Sequence, residues 1–82
     1  MDVKEAIDKA ADYLVKFIPK VEGIRLEEVE ITDDDKYYII TFSFDNPSDQ
    51  GYLNLDRGRK YKSFKIDINS GELRSMKIRE LK

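Results

Sequence analysis

A chain of 82 residues, 40% hydrophobic and 39% charged with a formal net charge of −2, suffices for one globular domain, and its five Tyr and four Phe argue against disorder. It has no Cys and no His, which excludes disulfides, thiolate metal sites and the usual near-neutral proton shuttle. Acidic residues (Asp2, Glu5, Asp8, Asp12) break up the N-terminus, where an export signal needs an apolar run of about 7–15 residues, and no stretch nears the roughly 20 of a membrane span. A cytoplasmic protein with no membrane contact is expected.

Residues 2–18 have helical periodicity. Val3, Ala6, Ile7, Ala10, Leu14, Phe17 and Ile18 recur at i, i+3, i+4 spacing and predict one apolar face. Asp2 is a candidate N-cap, with Glu5 completing a capping box. Pro19 disfavours helical geometry at Ile18 and predicts the stop there. Residues 24–32, IRLEEVEIT, predict a first strand. Its apolar residues change phase, Ile24 and Leu26 being even and Val29 and Ile31 odd. That requires a bulge near Glu27-Glu28, or a strand that begins at Glu27.

Asp33-Asp34-Asp35-Lys36 is a polar turn. Residues 37–44, YYIITFSF, alternate: Tyr38, Ile40, Phe42 and Phe44 share one face, Tyr37, Ile39, Thr41 and Ser43 the other. Residues 45–60 read as a long loop, with Tyr52, Leu53 and Leu55 able to tuck against the body. The third strand is predicted at 61–68, with Phe64, Ile66 and Ile68 inward. Gly71 supplies the left-handed position of a tight turn. The fourth strand, 73–79, needs a bulge at Arg74-Ser75 to bring Leu73, Met76 and Ile78 together. The expectation is an α+β fold over residues 1–82, one N-terminal helix on one face of a four-stranded antiparallel meander.

With these elements in order, the chain resembles a PepSY-type domain. The residues that carry the likeness are Glu5-Ala6-Ile7 with Ala10 in the helix, two strands around an acidic turn, and the run Asp67-Ile68-Asn69-Ser70-Gly71-Glu72-Leu73. The resemblance implies a small module that restrains or binds a partner protein, mostly outside the cytoplasm, and it implies no catalytic residues.

The candidate chemistry is sparse. The run from Asp67 has glycine at position 5 and Ile78 at position 12, where a helix–loop–helix calcium loop needs glycine at 6 and glutamate at 12. Turn chemistry explains it without a metal. Asp33, Asp34 and Asp35 are adjacent on a tight turn, where they are expected to point apart and stay solvated, which suits a solubilising turn better than a cation site or an acid–base pair. The serines have no histidine to activate them. No enzyme activity, metal or cofactor is expected.

Charge is divided along the chain. Residues 1–56 sum to −8 and residues 57–82 to +6. Arg57, Arg59, Lys60 and Lys62, with Lys65, Tyr61 and Phe64, form the best candidate for weak binding of nucleic acid or another polyanion. Nucleic acid is the weaker reading, because no recognised nucleic-acid motif is present. The favoured reading is a non-enzymatic interaction module. It binds a protein, peptide or second copy of itself, a homodimer included, through the open sheet face or an edge strand. On that face the candidates are Tyr37, Ile39, Thr41, Lys65 and Asp67.

Overall fold

Asp2 starts the helix as predicted. Its Oδ1 accepts from the Glu5 N–H at 2.8 Å, and the Glu5 Oε1 accepts from the Asp2 N–H at 3.2 Å. This reciprocal cap contributes about 1 kcal/mol. The resulting helix α1 spans Val3–Phe17 and ends where the Ile18 N–H donates to the Leu14 carbonyl, one residue before Pro19. The structure, a computed structural model, describes residues 1–45 and 60–78. After α1 come β1 (Glu22–Ile31), β2 (Tyr37–Asp45), β3 (Lys60–Asp67) and β4 (Leu73–Ile78). They form one antiparallel sheet in the order β1-β2-β3-β4. The expected 45–60 loop, with Tyr52, Leu53 and Leu55, otherwise lies outside the described residues.

Paired residues form rows across the sheet. On the helix side the rows are Ile31–Tyr38–Ile66–Leu73, Val29–Ile40–Phe64–Met76 and Leu26–Phe42–Lys62–Ile78. On the open side they are Glu30–Ile39–Lys65–Ser75 and Glu28–Thr41–Ser63–Lys77. Both edge strands have one extra residue. Leu26 and Glu28 face the adjacent Phe42 and Thr41, so Glu27 is the bulge in β1. Leu73 and Ser75 face the adjacent Ile66 and Lys65, so Arg74 is the bulge in β4. These bulges reconcile the changes of apolar phase read from the sequence. A second irregularity lies between Glu22 and Arg25, where Gly23 has φ 61°.

The core is Ala6, Ala10 and Leu14 of α1 against Tyr38, Ile40, Phe42, Phe44, Phe64 and Ile66. Phe42 and Phe64 meet edge to face at 6.0 Å. Two alanines at the contact let the helix lie close to the sheet. Val3 and Phe17, expected on the buried face, are exposed at the helix ends. Phe17 instead stacks on Tyr13 at 6.2 Å.

The helix packs mainly on β2 and β3. A helix is about 10 Å wide and strands lie about 4.8 Å apart, so one helix covers about two strands. Every residue of β1 is exposed. Its helix-side residues Leu26, Val29 and Ile31 are 46%, 36% and 54% accessible.

The turns set the strand ends. Between β1 and β2, the Thr32 Oγ1 donates to Asp34 Oδ1 at 2.6 Å and accepts from the Tyr37 N–H at 3.2 Å. Asp35 takes φ 58°, a conformation Asp tolerates better than most side chains. Between β3 and β4, Gly71 takes φ 76° and is buried beneath α1. A Cβ there would stand 2.5 Å from Met1 Cε and 3.2 Å from Lys9 Cε. The Lys9 flank of α1 therefore faces the β4 side. On a helical wheel Ile7, Ala11 and Val15 lie on the opposite flank, toward β1.

Candidate interaction surfaces

The open face gathers the residues read from the sequence. Tyr37 pairs with Asp67 and Ile39 with Lys65, and all four are half-buried. The Lys65 ammonium lies 4.5 Å from the centre of the Tyr37 ring, and the Arg74 guanidinium 6.0 Å. Such cation–π contacts cover the ring face and hold the two cations on this side. Thr41 is 1% accessible, and its hydroxyl shares a 2.7 Å hydrogen bond with that of Ser63. Ser43, two residues on, is buried and donates to Glu27 Oε2 at 2.5 Å. The centre of the open face is thus a hydrogen-bonded polar strip, and its exposed apolar area is small.

The basic cluster divides between the two faces. Lys60 and Lys62 pair with Phe44 and Phe42, on the helix side. Lys65 is on the open side, and Phe64 is wholly buried. Alternation along β3 is the cause, since successive side chains point to opposite faces. Arg57 and Arg59 lie outside the described residues.

The carboxylates at the two turns are bound by their own backbone. Asp67 Oδ1 accepts from the Asn69 and Ser70 N–H groups at 2.8 and 2.9 Å. These bonds, Ser70 foremost, hold the Asp67 pKa below its ordinary value. Asp34 is lowered too, first by the Thr32 hydroxyl and then by the Lys36 N–H. Among the described residues no three His, Cys, Asp or Glu are grouped to hold a metal ion. No helix among them is long and apolar enough to cross a membrane.

Among the described residues, the surface with the most exposed apolar side chains is β1. Ile24, Leu26, Val29 and Ile31 are all exposed, and among the described residues β1 pairs only with β2. Its open side has Glu28 and Glu30 in register, with Glu27 in the bulge. Sequence reading named an edge strand as a candidate surface but placed its site residues on the open face and left Leu26, Val29 and Ile31 out. The available signal was arithmetic: one helix is too narrow for four strands. Comparison with family models, curated proteins and solved structures finds no match to this chain.

Proposed function

We propose that this chain is a non-enzymatic protein-binding module that takes an extended segment of its partner along β1. The observation that carries this is the exposed row Leu26, Val29 and Ile31 on an edge strand. Apolar surface left in water forgoes roughly 25 cal/mol per Å², which a bound segment recovers. An edge also offers backbone N–H and C=O groups, so an added strand gains affinity from the main chain and specificity from alternate side chains. Next to β1, one side of that strand meets apolar residues and the other meets Glu28 and Glu30. The fitting segment alternates apolar residues with Lys or Arg.

The resemblance to PepSY-type domains, modules that restrain or bind partners, supports the same reading. The edge is favoured over the open face, where Tyr37 and Ile39 are half-buried and Thr41 is buried. Polyanion binding is disfavoured because Lys62 and Lys65 point to opposite faces.

Fluorescence anisotropy with labelled peptides tests the proposal. A Val/Lys alternating peptide should bind, a Val/Glu peptide should not, and Glu28→Lys with Glu30→Lys should abolish binding. Equal behaviour of the two peptides rejects the β1 site.

A further inference from the structure

Building on that reading of β1, we propose that the strand it accepts is β4 of a second copy of this chain. The β4 edge has the required alternation. Leu73, Met76 and Ile78 are on the helix side, and Lys77 is on the open side with Arg74, which lies over Tyr37. Arg74, Lys77 and Ile78 are exposed. Among the described residues β4 pairs only with β3 and β1 only with β2, so within them each outer strand has one unpaired edge.

Strand polarity permits the join. In a meander of four strands β1 and β4 run in opposite directions. A second copy placed alongside in the same orientation sets its β1 antiparallel to β4 of the first. The helix sides then lie on one surface and the open sides on the other.

The existing rows specify the contacts. Carried level across the new boundary, Leu73 meets Ile31 of the next copy, Met76 meets Val29, and Ile78 meets Leu26. On the open side Lys77 meets Glu28, and Ser75, beside the Arg74 bulge, meets Glu30. Every helix-side contact is apolar, and the open-side charges are opposite in sign. Opposed charges across a strand pair favour association and like charges disfavour it.

The same charges reject the other edge pairings. Two β1 strands bring together two rows containing Glu27, Glu28 and Glu30. Two β4 strands bring together Arg74 and Lys77 with their copies. The two edges therefore select each other in preference to themselves. Such a contact is head-to-tail, and it closes only as a ring.

Sedimentation velocity over a concentration series decides. The wild type should associate progressively with concentration, and added salt should weaken this. The double variant Glu28→Lys, Glu30→Lys should associate about tenfold or more weakly, and so should Arg74→Glu, Lys77→Glu. These four side chains are exposed, so both variants should keep the wild-type circular dichroism. An equimolar mixture of the two variants should recover association, since the reversed β1 of one fits the reversed β4 of the other and their unreversed edges fit each other. A wild type that stays monomeric throughout, association that survives both reversals, or a mixture that stays dissociated each overturns the proposal. A monomeric wild type that still binds the Val/Lys peptide overturns only the choice of β4 and leaves the β1 binding site standing.

Discussion

Val29 and Ile40 are partners across β1 and β2 and share the helix side of the sheet, yet Ile40 is wholly buried and Val29 is 36% accessible. The edge of α1 passes between them. The same boundary separates Leu26 from Phe42 and Ile31 from Tyr38.

Substitutions on the two sides of that boundary should differ in cost. Phe42 is nearly inaccessible and packs against Phe64. Phe42→Ala should destabilise by about 3–5 kcal/mol through lost burial and a cavity. Ile31→Thr, on the uncovered side, should cost less than about 1 kcal/mol. Urea denaturation of both variants at low protein concentration measures the difference. Similar losses would show that β1 is covered in solution.

The close approach of α1 makes a second prediction. Ala10 is wholly buried between helix and sheet. Ala10→Leu should destabilise by about 1–3 kcal/mol, because the added atoms have no space without moving the helix. Thermal unfolding measures it.

Gly71 is constrained twice, by φ 76° and by the Met1 and Lys9 side chains above it. Gly71→Val should cost more than about 1 kcal/mol, since a β-branched residue is strained in that region. Met1 and Lys9 have flexible ends that can yield, so the backbone contributes most of the loss. Gly71→Asn, which tolerates positive φ, should lose less in the same urea titration.

Stability should fall in acid. The Asp34 and Asp67 pKa values are lowered by folding, so their contribution is complete above the unfolded carboxylate value. It is lost as pH falls through the lower folded value. For Asp67→Asn, the melting temperature should lie below wild type near pH 7, and the gap should narrow near pH 3. A gap that is constant with pH would show that the Asp67 charge contributes nothing. Calcium should leave the wild-type melting temperature unchanged, because Asp67 Oδ1 is engaged by two of the turn's own N–H groups.

The sheet was legible where its pattern was local. Strict alternation in residues 37–44 identified β2 and its inward face, and the phase change between Leu26 and Val29 required the bulge found at Glu27. The change between Leu73 and Met76 did the same for Arg74. Exposure at β1 was not legible in that way. Period shows which residues share a face, whereas exposure depends on the width of the element above. Thr41 and Ser43 were read as open-face residues for the same reason. They are on that face, where their hydroxyls bond to partners distant in sequence, Ser63 and Glu27.

The Glu27 bulge also changes how this strand can lose or gain residues over generations. Losing one residue from a regular strand turns every side chain beyond the gap to the opposite face. Here Glu27 is the supernumerary position, and Leu26, Val29 and Ile31 are already in phase around it. Deleting Glu27 alone would leave a continuous strand with the same residues facing the helix side, at the expense of the Ser43 acceptor. Deleting one residue within Tyr38–Thr41, where the pairing is unbroken on both sides, would invert half the core. The edge of this sheet can therefore tolerate a codon lost where its second strand cannot.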